Sequence, residues 1–393
     1  MNKIPLGKPY IKPEIVLNEI SKVLDTRWIS GGPTITKFEE EIKKYNGDKD
    51  RYYVAVSNGS VAIELALLYL NGGQPYKINE INEVIVPSWS WVATGFSVPR
   101  VGAKPVWCDV NKYGVPTVET IEPLINNNTK AIIVVHQMGI PCDMDKINEL
   151  ADKYNLPVIE DAACALGSEY KNSKIGAHTK NIVTYSFQAR KVLTTGGEGG
   201  MIVVKDEKAA KWLKSFRAFG TNITPFERDK STSINKEFFD KLGGNYKMSD
   251  ISAAFGLAHL QYLDEEIEMR SQAGLYYNEK IKELNMSGFG VAIGNLIPEY
   301  CTKYNWQNYH IILDKKYLRD VVVEKMKSLG IGCKWDIQAI HSEPAINNRT
   351  VLPITNVFHK QGMWLPFFAE ITREEQDIVI ESLKKVLDEF TIY

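Results

Sequence analysis

The chain has no long apolar run, almost no net charge and no paired-cysteine spacing. Its five cysteines, at positions 108, 142, 164, 301 and 333, are odd in number and never form Cys-x-x-Cys. That argues against a disulfide framework or a zinc site, and leads us to expect reduced thiols in a cytoplasmic protein. No stretch approaches the roughly 20 residues that span a bilayer, and Met1–Gly7 lacks the apolar core of a secretory signal. Lysine and arginine number 47 against 48 aspartate and glutamate, for a formal charge of −1. The two signs alternate throughout, so neither a nucleic-acid surface nor a membrane surface is expected. Six histidines, at 136, 178, 259, 310, 341 and 359, show no metal-ligand spacing. No metal site is expected of them, and buried hydrogen-bonding roles are their default. Gly-x-Ser-x-Gly and Gly-x-x-x-x-Gly-Lys-Ser/Thr are both absent, which removes the hydrolase elbow and the P-loop.

What is present is ordinary globular material, with 44% hydrophobic and 24% charged residues over 393 positions. That length suggests two domains. Residues 13–25 set Val16, Ile20, Val23 and Leu24 on one helical face. Ser60 to Leu70 is nearly all apolar and follows Ser57-Asn58-Gly59, the pattern of a buried helix with a polar start. Strand candidates are Val84–Val86, Pro105–Asp109, Ala131–His136, Val158–Asp161, Ile182–Ser186 and Met201–Val204, with an amphipathic helix at Met144–Tyr154. Alternating β and α segments with continuously apolar strands predict an α/β fold with a mainly parallel, helix-covered sheet. Residues 221–243 read as a polar surface excursion. Ile251–Tyr262 with its charged continuation to Arg270 reads as one long helix, and a boundary is expected there, dividing 1–265 from 266–393. Beyond it, a strand at Tyr309–Leu313 and helices at Leu318–Leu329 and Arg373–Phe390 predict a smaller α+β domain.

The chemistry concentrates around Lys191. It follows a hydroxyl-bearing strand end, Tyr185-Ser186, and precedes the glycine-dense Gly196-Gly197-Glu198-Gly199-Gly200. A lysine amine forms a Schiff base with an aldehyde cofactor, and a buried carboxylate holds a pyridine nitrogen protonated. Asp161, closing the run Pro157-Val158-Ile159-Glu160, stands where ligands meet open α/β sheets. Its alternative role is a helix N-cap. Ser57-Asn58-Gly59-Ser60 before a helix is either an anion site or an ordinary cap. Trp89 and Trp91 each offer a ring face for stacking or for the core.

In this order the pieces resemble the DegT/DnrJ/EryC1/StrS sugar aminotransferases, a branch of the fold-type-I pyridoxal 5'-phosphate (PLP) enzymes. The segments that carry the likeness include Ile4–Pro9, Trp28–Pro33, Ser57–Ser60, Pro87–Thr94, Gly102–Val106, His136–Gly139, Glu160–Ala163, Ser186-Phe187, Lys191, Glu198–Gly200 and Gly244–Ser249. The resemblance implies a seven-stranded sheet, an internal Schiff base on Lys191 and pairing of Asp161 with the pyridine nitrogen. It further implies stacking by Trp91, phosphate contacts from Gly59, Ser60 and Ser186, and a homodimer in which Asn245 reaches the phosphate in the other subunit. Amino transfer from glutamate or glutamine to a nucleotide-linked deoxysugar ketone is the implied activity. A non-nucleotide ketone such as an inosose or small phosphorylated ketone is the alternative, ahead of a dehydratase or a non-catalytic regulator. The sequence departs from the family at Cys164, where Gln or His often contacts the ring, at Gln188-Ala189-Arg190 before the lysine, and by one extra glycine before Glu198.

Overall fold

Valine- and isoleucine-rich runs, buried on both faces, build the centre of this computed structural model. It describes residues 3–77, 80–177, 179–223, 226, 228, 236–283 and 296–389. The strands are β1 (Tyr52–Val56), β2 (Glu83–Pro87), β3 (Lys104–Cys108), β4 (Thr129–Val135), β5 (Val158–Asp161), the short pair β6 (Glu169–Tyr170) and β7 (Ser173–Lys174), β8 (Ile182–Ser186) and β9 (Gly200–Val204). Seven of them form one sheet in the order β1-β9-β8-β5-β4-β2-β3. The step from β8 through to β3 is parallel throughout, and β9 is antiparallel to both its neighbours. All six strand candidates are present. β1 is the addition, buried at four of its five residues like the strands that were expected.

Two antiparallel steps make β1 run the same way as β8. Val56 and Ser186 therefore both stand opposite Gly200. This register brings the segment after β1 beside the end of β8. Glycine is required for the approach: a Cβ on Gly200 would lie 2.4 Å from the Asn58 backbone, and one on Gly59 would lie 2.7 Å from Ser186 Cβ. The ends of β1, β4, β5 and β8 and the start of β9 thus share one edge, where open α/β sheets bind ligands.

The helix Gly59–Leu70 buries Ala62, Ile63, Leu65, Ala66 and Leu67, which accounts for its apolar sequence. In the helix Pro13–Thr26 the buried positions are Val16, Glu19 and Val23. Leu24, expected on that face, is 56% exposed, because it lies one residue further round the helix than Val23. The expected long helix is two helices, Asp250–Leu260 and Leu263–Glu283, separated by a turn. At the turn the buried Glu266 meets His259 at 2.7 Å and Arg270 at 2.8 Å, a cluster that ties the two helices together. The expected boundary at 265/266 falls within the second of them.

The C-terminal part has β10 (Cys301–Lys303), which pairs with β6, and an antiparallel sheet of β11 (His310–Ile312), β12 (Lys334–Trp335) and β13 (Gly362–Trp364) with β13 central. The helices Arg319–Ser328 and Arg373–Asp388 match the expected pair, and Phe390 lies outside the described residues. This part shares one apolar core with the large sheet: Ile132, Val134 and Trp89 belong with Tyr309, Phe367 and Leu383. Of the 221–243 excursion, the described flanks approach each other, with Thr221 bridged to Phe239. Residues 224, 225, 227 and 229–235 of it, like His178, lie outside the described residues. Among the described residues no helix is long and apolar enough to cross a membrane.

Candidate active site

The shared sheet edge opens into a cavity of about 450 Å³. Gly59, Ser60, Trp91, Asp161, Cys164, Ser186 and Lys191 all line it. Asn245, the eighth expected residue, does not. It is exposed, its backbone bridges to Ala218, and Lys247 donates to its Oδ1 at 2.8 Å.

At one end lies a set of unused donors. Asn58 caps the helix Gly59–Leu70 by accepting from the Val61 amide at 2.9 Å. The Gly59 and Ser60 amides lie between the cap residue and Val61 and have no backbone acceptor among the described residues. The hydroxyls of Ser60 and Ser186 face the same cavity. Two free amides at the positive end of a helix, with two hydroxyls, suit a phosphate dianion.

At the floor sits Asp161, 3% exposed. Its carboxylate accepts from the Thr94 hydroxyl at 2.8 Å and from the Ala163 amide at 3.1 Å. Burial raises its pKa above the ordinary carboxylate value, against the pull of Thr94, Ala163 and Lys191. A group with few partners and an unfavourable buried charge is matched to a cationic ligand atom. The adjacent Glu160 points to the other face of the strand. There it accepts from Thr179 and Asn181 at 2.7 Å each, and meets His136 Nε2 at 3.0 Å. His136 Nδ1 accepts the Cys142 amide, so the proton sits on Nε2 and is donated to Glu160. Burial pushes the Glu160 pKa up, but these donors outweigh it and hold it below the ordinary value.

Lys191 Nζ lies 3.1 Å from Cys164 Sγ. Its loop is held from three sides. The buried Gln307 donates to the Arg190 carbonyl at 2.6 Å and accepts from the Val192 amide at 3.2 Å, one carboxamide gripping both sides of the lysine. His259 accepts from the Thr194 amide at 3.1 Å, and the Ala189 amide donates to the Gly197 carbonyl. Gly197 has φ +147°, a conformation that side chains rarely adopt, so the extra glycine shapes this turn. Asn305 donates to the carbonyls of Cys164 and Leu166 at 2.8 and 2.9 Å and accepts from the Gln307 amide. The segment Asn305–Gln307 therefore fastens the lysine loop to the cysteine loop.

The two tryptophans divide. Trp89 is buried and donates to Asp336 at 2.8 Å, so it belongs to the core. Trp91 is 55% exposed and turns its ring to the cavity. The cavity wall also includes Thr94, Gln307, Lys334 and Trp364, none of which the sequence reading singled out. Among the described residues, no three His, Cys, Asp or Glu gather as a metal-ion ligand set. Phosphate donors at one end, a buried acid at the floor and a positioned amine between them are the fittings that PLP requires.

Comparison with known proteins agrees with this geometry. The model of the DegT/DnrJ/EryC1/StrS aminotransferase family matches residues 10–384. An uncharacterised protein of Methanocaldococcus jannaschii is 32% identical over 394 residues, covering 97% of this chain and 98% of its own. Among solved structures, DesV of S. venezuelae, solved with a ketimine intermediate, is 26% identical with a TM-score of 0.84, and 98% of each chain is covered. PseC of Helicobacter pylori, an aminotransferase of pseudoaminic acid biosynthesis, has the same fold at a TM-score of 0.88 and 23% identity, covering 99% of this chain and all of its own.

Proposed function

From the premise that the chain belongs to the DegT/DnrJ/EryC1/StrS aminotransferase family and is a PLP-dependent transaminase, we propose that it aminates the keto group of a nucleotide-linked deoxysugar, with glutamate or glutamine as donor. The observation that carries the site assignment is the single cavity shared by Lys191, Asp161 and the free donors of Gly59, Ser60 and Ser186. In this reading Gly59, Ser60 and Ser186 hold the phosphate, Asp161 holds the ring nitrogen protonated and Trp91 covers the ring face. When bound, PLP supplies an aldehyde carbon that takes up amines and a ring that draws electrons from the carbon being deprotonated. Lys191 would hold that carbon through its Nζ and, when that nitrogen is free, would move the proton off the donor's α-carbon. Cys164 Sγ sets where that nitrogen rests. In the reverse direction the same Nζ would return a proton to the ketone carbon that takes up the amino group.

The homodimer and the division at 265/266 belong to the same proposal. Phe219, whose amide donates to the Gly244 carbonyl, and Phe238, Phe239 and Leu242 are each at least half exposed. Such an apolar patch suits a second copy of the chain. A second reading, a carbocyclic or other non-nucleotide ketone, rests on the resemblance at Gln188, which lines the cavity. The test is mass spectrometry with ¹⁵N-glutamate and a panel of ketones, together with borohydride reduction of the holoenzyme. We expect label in an amino sugar and a PLP adduct on the Lys191 peptide. Loss of water without new nitrogen, or an adduct elsewhere, would overturn the assignment.

A further inference from the structure

The proposed chemistry uses one end and the floor of the cavity. The remaining wall carries two cations that it leaves without a task. Lys334, on β12, is half-buried, and Arg190 directly precedes Lys191. Both line the cavity, and neither forms an ion pair among the described residues. The lysine ammonium rests 4.8 Å from the Trp364 ring centroid and 5.9 Å from that of Trp91. Aromatic faces hold an ammonium in place without neutralising it. The nearest acid on the same strand segment is Asp336, and it is taken up elsewhere. Trp89 donates to it at 2.8 Å, Trp364 at 3.1 Å and the Ile337 amide at 2.7 Å, with His310 at 3.0 Å. The other rim acid, Glu198, pairs with neither cation. Burial, and next the field of Arg190, lower the Lys334 pKa, against the pull of Asp336.

Two like charges, the half-buried Lys334 and the exposed Arg190, line one cavity from separate parts of the fold and form an anion subsite. We propose that Lys334 and Arg190 bind the α-carboxylate of the amino donor. This rests on the aminotransferase reading above. The donor's nitrogen replaces that of Lys191, so its carboxylate, one carbon away, falls beside the Lys191 loop. Arg190 stands on that loop, and Lys334 stands over the Trp91 ring. A nucleotide phosphate lies a whole sugar ring further from the reacting carbon. The donor set for the cofactor's own phosphate is at the Gly59–Ser60 end, on different elements.

The test uses the holoenzyme and the variants Lys334→Gln and Arg190→Gln, each first checked for PLP content by absorbance. Glutarate, a dicarboxylate without a reactive amine, is titrated against tryptophan fluorescence, with pyrophosphate as the parallel probe. We expect the glutarate Kd to rise about tenfold in each variant and the pyrophosphate Kd to change less than twofold. In single-turnover reactions the half-saturating glutamate concentration should rise likewise, whereas a donor lacking the α-carboxylate, the α-amide of glutamate, should show no added penalty. Unchanged glutarate binding in both variants would overturn the proposal, and so would weakened pyrophosphate binding with glutarate unaffected, which would assign the cations to a phosphate. Failure of wild-type holoenzyme to accept any amino donor would instead sink the aminotransferase reading. Glutarate binding distinguishes the two failures, because it needs no turnover.

Discussion

Two carboxylates stand side by side on β5 and are built in opposite ways. Glu160 meets His136, Thr179 and Asn181, and is held below its ordinary pKa despite full burial. Asp161 is equally buried, meets one hydroxyl and one amide, and is pushed up. Strand alternation sends one side chain into the sheet's packing and the other into the cavity. A complete hydrogen-bond set makes a structural acid, and an incomplete one makes an acid that awaits a ligand. The difference separates what holds the sheet from what serves the site.

The sharpest way to break the comparison is to exchange the two losses. Asp161→Asn should lower kcat/KM on the order of 10³-fold, about 4 kcal/mol of barrier, with the fold intact. This is read from steady-state kinetics normalised to bound PLP. Glu160→Ala should instead cost stability, about 3 kcal/mol, because it leaves several buried donors unpaired. Denaturant unfolding measures it, and turnover per folded, loaded enzyme should change little. The Glu160 contribution also has a pH signature. Its folded pKa lies below the unfolded one, so its stabilisation is present above the unfolded value and is lost as pH falls through the folded value. Glu160→Gln should therefore flatten the wild type's acid loss of stability. A turnover defect in the Glu160 variants without loss of stability would erase the distinction between the two acids.

The same contrast marks what was legible in the sequence. Lys191, Asp161 and Ser186 stand at or just beyond the ends of apolar runs, and a run's end is a local signal for the edge of a parallel sheet. Ser57–Ser60 announces a helix start in the same local way. β1 was not expected, although its run Tyr53–Val56 is buried like the strands that were. Thr94 entered only as the end of the segment Pro87–Thr94, yet its hydroxyl is the closest hydrogen-bond donor to Asp161. Gln307 lies 117 residues from Arg190, and only the docking of the C-terminal part on the large sheet makes them partners. Lys334 and Trp364 reach the cavity for the same reason. No periodicity or spacing encodes such contacts. Cys164 was visible as a departure, but that its sulfur receives the Lys191 amine was not.

A finer test keeps Asp161 and removes its support. Thr94→Val preserves shape and deletes the hydroxyl that pulls the Asp161 pKa down. The acid should then ionise at higher pH. The acid limb of the kcat/KM profile should move upward, and kcat/KM near that limb should fall about tenfold, the effect of one lost hydrogen bond to a charged group. An unshifted profile would mean that Asp161 ionisation does not govern the limb.

The smallest effect concerns the protein without cofactor. Asp161 has a folded pKa above its unfolded value, so folding favours its protonated form. The resulting stabilisation is complete below the unfolded value and disappears as pH rises through the folded one. At neutral pH the ionised side chain is therefore a burden on the cofactor-free fold. Asp161→Asn removes that charge, and Thr94 and Ala163 can still donate to the amide oxygen. Cofactor-free Asp161→Asn should consequently melt higher than cofactor-free wild type at pH 7.5, by a degree or two, the shift that about 1 kcal/mol produces in a chain of this size. The gain should vanish in acid, where the wild-type carboxyl is protonated too. With PLP bound the order should reverse, because only the carboxylate pairs with the ring nitrogen. Differential scanning calorimetry of both proteins, empty and loaded, at two pH values measures these shifts. A site that is less stable empty and more stable filled is what an acid left short of partners should produce.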